Sequence, residues 1–179
     1  AMPGCSINNP TLTEADLRNL AVAKQYKVTD VMLPFVRNKA DLIILREALR
    51  EYGCEDIRIF AKIENMTGVE HLEELIPYCD YIVIARGDLG NAMPLSQLPR
   101  IQAHIARVCR KHNKDFMIVT QMLDSMIKNP YPTRAEVNDI YHAVTQGASA
   151  LMLTGETAHG KYPVEAMKML VDTAEESIL

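Results

Sequence analysis

No run in this chain approaches the roughly 18 consecutive apolar residues that a membrane-crossing helix requires. No basic segment leading into a short apolar stretch marks it for export either. Membrane contact and secretion are therefore not expected, and the expected location is the cytoplasm. The four cysteines, Cys5, Cys54, Cys79 and Cys109, form no Cys-x-x-Cys pair. Neither a zinc module nor a disulfide framework is indicated, and reduced thiols are expected. A basic patch is missing as well: 19 lysines and arginines are interspersed among 23 acidic residues, for a net charge of −4. Nucleic acid is not an expected partner. Low-complexity tracts are absent, and 48% hydrophobic with 23% charged residues is ordinary for a globular chain.

What is present is an alternation. Five short, β-branched runs recur at 30–36, 57–63, 81–85, 116–121 and 150–153. Their separation of about 25 to 35 residues is that of strand–helix units in a parallel sheet. Between them lie segments of helical period. Thr13 with Asp16 opens the first, and Leu42, Leu45 and Leu49 line one face of residues 39–52, with Gly53 just past the end. Further helices are predicted at about 68–76, 97–112, 134–146 and 163–178, the fifth capped by Thr133 with Glu136 in capping-box position. The 179 residues read as one domain over 1–179 with an α/β fold and a helix-covered parallel sheet. Five strands fall short of the eight of a closed (β/α)8 barrel. Periodicity alone equally allows an open doubly wound sheet, although no GxGxxG turn follows the first strand. The methionines, among them Met122, Met126, Met152, Met167 and Met169, read as core filling.

In either parallel architecture, reactive groups belong at the carboxyl ends of the strands. Those ends read Phe35-Val36-Arg37, Lys62-Ile63-Glu64-Asn65, Arg86-Gly87-Asp88, Thr120-Gln121-Met122 and Thr154-Gly155-Glu156-Thr157. The two-residue period of a strand puts Phe60, Lys62 and Glu64 on one face. A Lys-x-Glu pair there reads first as a structural ion pair at the rim. With Asp88 added, two carboxylates converge at adjacent strand ends and repel unless a cation lies between them. Magnesium suits such oxygen ligands, and Lys62 would then neutralise substrate charge beside it. Gly87 and Gly90 would let backbone amides approach an anion closely. Asp88 reads equally well as the cap of a following helical turn, and this segment alone leaves the two readings open.

Four long segments carry a resemblance: KIENMTGVEHLEEL (62–75), IVIARGDLG (82–90), VTQMLDSMIKNPYPTRAEVNDI (119–140) and MLTGETAHGKYPVEAM (152–167). In order and interval they closely resemble the signature segments of the pyruvate kinases, and MPGCSINNPTLTEADLRNL (2–20) resembles that family's re-entry from its lid domain into the barrel. The resemblance implies a partial TIM barrel of about five strands and the glycolytic phosphoryl transfer from phosphoenolpyruvate to ADP, giving pyruvate and ATP. It implies Mg2+, for which Mn2+ can substitute, and K+. Carried over, Lys62 would stabilise the transferring phosphoryl group, and Glu64 and Asp88 would hold the metal. The amides of Gly87 and Asp88, with the Thr120 hydroxyl, would receive the substrate carboxylate. Thr154 and Glu156 would lie near the face of the enol that is protonated.

Departures from the family pattern set further expectations. The matching region lacks the first barrel strands, the lid domain and the regulatory domain, and with them an upstream phosphate-binding arginine and most potassium ligands. The nucleotide site would then be incomplete and turnover by this chain weak or absent. Pro34 stands for a serine, Asn91-Ala92-Met93 for Val-Glu-Ile, Thr154 for a serine, and His159 and Lys161 for the usual lysine and acid. Open sheet edges point to self-association or a partner chain, and the resemblance implies that the 132–136 region lies near a subunit interface, so a homo-oligomer is expected. Two other readings are a non-catalytic paralogue serving as a binding or assembly module, and a magnesium-dependent enolpyruvate lyase or decarboxylase.

Overall fold

The computed structural model describes residues 10–178; Cys5 and the first part of the 2–20 segment lie outside the described residues. Five parallel strands form one sheet: β1 (Asp30–Leu33), β2 (Arg58–Ile63), β3 (Tyr81–Ala85), β4 (Asp115–Val119) and β5 (Ala150–Met152). They lie in strictly sequential order, β1-β2-β3-β4-β5. A doubly wound sheet reverses its strand order at a switch point, whereas a barrel advances one strand at a time. The open-sheet alternative is thereby set aside in favour of a segment of barrel.

The helices are α1 (Glu14–Val22), α2 (Lys39–Glu51), α3 (Met66–Glu70), α4 (Leu72–Leu75), α5 (Arg86–Asn91), α6 (Leu98–Lys111), α7 (Arg134–Thr145), α8 (Gly155–Ala158) and α9 (Pro163–Glu176). Both expected N-terminal signals form full capping boxes, Thr13 with Asp16 and Thr133 with Glu136. Gly53 follows the cap of α2 at φ 64°, a conformation that glycine adopts without penalty. Leu42, Leu45 and Leu49 are buried against the sheet, each contributing on the order of 1.5–3 kcal/mol.

Alternation divides the strands between two faces. Ile59, Ala61, Ile63, Ile82, Ile84, Phe116 and Ile118 belong to the large core beneath the helices. The opposite face buries a smaller cluster of Phe60, Val83, Ala85 and Val119, flanked by partly covered Tyr81, Met117 and Met152. Phe60 and Tyr81 stack there with ring centroids 4.4 Å apart.

Several expectations are corrected. The first strand stops at Leu33 and the fourth at Val119, each short of its apolar run. The reason is backbone conformation: Phe35 (φ 53°), Thr120 (φ 78°) and Gln121 (φ 55°) are all left-handed, which ends a strand whatever its side chains. The helix expected at 68–76 is two short helices followed by a 3-10 turn, Ile76–Tyr78. The short helices α5 and α8 are not foreseen by periodicity, because four to six residues are too few to show one. Met167 is not core but 45% exposed. None of the helices among the described residues is long and apolar enough to cross a membrane.

Candidate functional site

Parallel register brings the carboxyl ends of β2 to β5 to one edge. Ile63 pairs with Ile84, Ala85 with Val119, and Val119 with Met152. The residues immediately beyond those pairs are Glu64, Arg86, Thr120 and Leu153, so the polar residues singled out from the sequence emerge together.

Lys62 and Glu64 form an ion pair, with Nζ 2.8 Å from Oε1, and the Glu64 side chain is only 3% exposed. The other carboxylate oxygen of Glu64 accepts the Phe35 N–H at 2.8 Å. The rim ion pair therefore exists, with one Glu64 oxygen facing the Lys62 ammonium and the other accepting the Phe35 amide. Asp88 sits in the first turn of α5, but the residue that caps this helix is Ala85, and no side chain caps it by hydrogen bond. The capping reading of Asp88 is overturned. Its half-buried carboxylate takes no hydrogen bond or ion pair from any side chain or amide among the described residues.

The donor set suits a hard cation held by one or two carboxylates, with water and substrate oxygens completing the coordination. It does not suit zinc or any all-protein cage, since the described residues contain no cluster of three or more His, Cys, Asp or Glu that would hold a metal. Glu64 and Asp88 are donors of the type that magnesium takes.

Gly87 and Thr120 are brought into direct contact: a Cβ on Gly87 would lie 2.9 Å from Thr120 Cγ2. Only glycine at 87 allows the β3 and β4 ends to approach this closely. Thr120 itself carries strain, because a β-branched residue at φ 78° is a genuine outlier. Arg86 holds this turn. Its guanidinium donates to the Thr120 carbonyl at 3.2 and 2.8 Å and to the Gln121 carbonyl at 3.2 Å, and pairs with Asp139 of α7 at 2.6 Å. The sequence places Arg86 at a strand end but carries no signal of this task, since its partners are 34 to 53 residues away.

Glu156 is 1% exposed at the start of α8. One oxygen accepts the Leu123 N–H at 3.0 Å; the other accepts the Thr154 N–H at 2.8 Å and the Thr154 hydroxyl at 3.3 Å. Burial pushes this carboxyl up, but the backbone N–H groups of Leu123, Glu156 and Thr154, with the Thr154 hydroxyl, outweigh burial and hold it below its ordinary value. Glu156 is a fixed anion stitching the segment after β4 to the segment after β5. Arg37 is turned away to buried Asp41, which it binds at 2.6 Å. Burial pushes the thiols of Cys79 and Cys109 up to about 12, so neither is a nucleophile near neutral pH.

The chain is thus an α/β protein of barrel type with its polar chemistry gathered at strand carboxyl ends. Residues 1–167 match the family model described as the pyruvate kinase barrel domain. The chain is 41% identical over 176 residues to a pyruvate kinase of Clostridium acetobutylicum, covering 98% of this chain and 37% of that protein. It is 40% identical to one of Bacillus licheniformis over 98% of this chain and 30% of that protein, and 40% identical to one of Kluyveromyces lactis over 97% and 34%. It belongs to the pyruvate kinase family, and it spans about a third of the length of these relatives.

Proposed function

We propose that this chain carries the metal and phosphoenolpyruvate half of a pyruvate kinase active site, serving phosphoryl transfer between phosphoenolpyruvate and ADP to give pyruvate and ATP. The observation that carries this reading is the conjunction at one sheet edge of the Lys62–Glu64 pair, the Asp88 carboxylate without a partner among the described residues, and the Gly87–Thr120 contact. Glu64 and Asp88 would hold Mg2+, or Mn2+ in its place, and the ion when bound would neutralise charge on the substrate oxygens. Lys62 places an ammonium beside the phosphoryl group, where charge spreads over the equatorial oxygens. The amides of Gly87 and Asp88 and the hydroxyl of Thr120 orient the substrate carboxylate. Glu156 holds Thr154 by backbone and hydroxyl, which fixes that hydroxyl for proton delivery to the enol. K+ and the nucleotide would draw most of their contacts from family segments that have no counterpart here, so turnover by this chain alone is weak or absent. The setting is cytoplasmic glycolysis, and the chain works as a homo-oligomer.

Titration calorimetry with oxalate, an enolate mimic, tests the half-site, and a coupled lactate dehydrogenase assay with Mg2+ and K+ tests turnover. Oxalate should bind only with Mg2+ present, and Asp88→Asn should weaken it at least about tenfold, a lost charged ligand being worth more than 1.4 kcal/mol. The same variant should keep its unfolding midpoint, since Asp88 supports no other group among the described residues. Well-folded protein that ignores oxalate at millimolar Mg2+ would remove the proposal.

A further inference from the structure

The turn after β1 is strained without any burial to offset it. Phe35 adopts φ 53°, which a bulky residue rarely does, and its side chain remains 51% exposed. The ring therefore does not explain the conformation. What the conformation secures is the direction of two successive peptide groups. The Phe35 N–H reaches Glu64 Oε2 at 2.8 Å, and the Val36 N–H reaches the Lys62 carbonyl at 3.2 Å. The Val36 carbonyl in turn accepts Asn65 Nδ2 at 3.2 Å and lies 2.5 Å from where a Cβ on Gly68 would stand. Two residues of one turn thus grip the end of β2 and the start of α3 at Lys62, Glu64, Asn65 and Gly68. Pro34 precedes them. A proline followed by a left-handed residue is the pattern of a type II turn, whose left-handed position is ordinarily filled by glycine or asparagine.

We infer that the Pro34–Phe35 turn is a positioning device for Glu64, its main-chain N–H fixing one carboxylate oxygen so that the other is presented to Lys62 and a divalent cation. The inference rests on the reading of Glu64 as a metal ligand. Pro34 restricts the chain before it folds, and the left-handed Phe35 aims the amide; both act through Glu64. Partners of this kind behind a metal ligand commonly govern affinity by about 10- to 100-fold.

The experiment separates the turn from the metal. Phe35→Asn keeps an amide at a position that asparagine tolerates, whereas Phe35→Val places a β-branched residue where it rests only under added strain, and Pro34→Gly frees the turn without touching the amide. Mn2+ binding to the 179-residue chain is read by electron paramagnetic resonance, and hydrogen exchange of the residue 35 amide is read by NMR without metal. Phe35→Asn should bind Mn2+ within about twofold of the unsubstituted chain, while Phe35→Val and Pro34→Gly should bind about tenfold more weakly. The residue 35 amide should exchange slowly, and faster in Glu64→Ala. Unchanged Mn2+ binding by folded Phe35→Val and Pro34→Gly overturns the inference, as does a freely exchanging amide. If the unsubstituted chain binds no Mn2+ while the amide stays protected by Glu64, the metal reading fails, and the positioning role falls with it.

Discussion

Three carboxylates at the strand ends show how differently the same functional group is used. Asp88 has no partner among the described residues, Glu64 shares its oxygens between an ammonium and a main-chain amide, and Glu156 is saturated by donors from two segments. The first leaves its oxygens free of partners among the described residues, as the proposed metal ligand requires, whereas the last ties two segments of the protein together. Glu156→Gln should therefore destabilise the fold by about 1–3 kcal/mol, because the amide leaves one buried donor group without a good acceptor. Chemical denaturation measures this directly. The sign with pH follows from the depressed folded-state value. The stabilisation is present above the unfolded value of about 4.3 and is lost as pH falls through the folded value. Glu156→Gln should flatten the decline in stability below about pH 5, and an acid profile identical to that of the unsubstituted chain would count against the assignment.

Secondary-structure elements meet at this edge through a few side chains that reach across long stretches of sequence. Arg86 is the main one, linking the end of β3 to the strained turn after β4 and to Asp139 on α7. Its fork of donors is what two adjacent carbonyls and a carboxylate require, and a lysine does not supply it. Arg86→Met should cost about 1–2 kcal/mol, since it strands the part-buried Thr120 carbonyl and leaves the one-third-exposed Asp139 carboxylate without its partner. A urea midpoint unchanged from the original would show that the turn holds itself. The strand ends at Phe35 and Thr120 belong here as well. Their side chains read as strand, but their backbones are left-handed, and only partners distant in sequence keep them so.

For the molecule as a whole, the two faces of the sheet are unequal. One is sealed by helices, while the other leaves Tyr81, Met117 and Met152 only partly covered, and among the described residues β1 and β5 each pair on one side only. Open edges and half-covered apolar faces favour association. Sedimentation at micromolar concentrations should show species above the 20.1 kDa chain mass, and the melting temperature should rise with concentration. A single 20.1 kDa species at all concentrations would refute this expectation.

By itself, the sequence determined the strand–helix alternation, the family, and the identity of the residues at the strand ends. These follow from local periodicity, capping chemistry and long contiguous motifs, all carried by neighbouring residues. The sequential strand order was decided only by the tertiary structure, because periodicity is the same for a barrel and a doubly wound sheet. So was the choice for Asp88 between a cap and a carboxylate without a partner among the described residues, which turned on hydrogen bonds that no spacing reveals. The tasks of Arg86 and of the Phe35 amide were decided in the same way, since their partners lie 29 to 53 residues away. Contacts at such separations exist only once the helices have packed and the parallel strands have brought their ends to one edge.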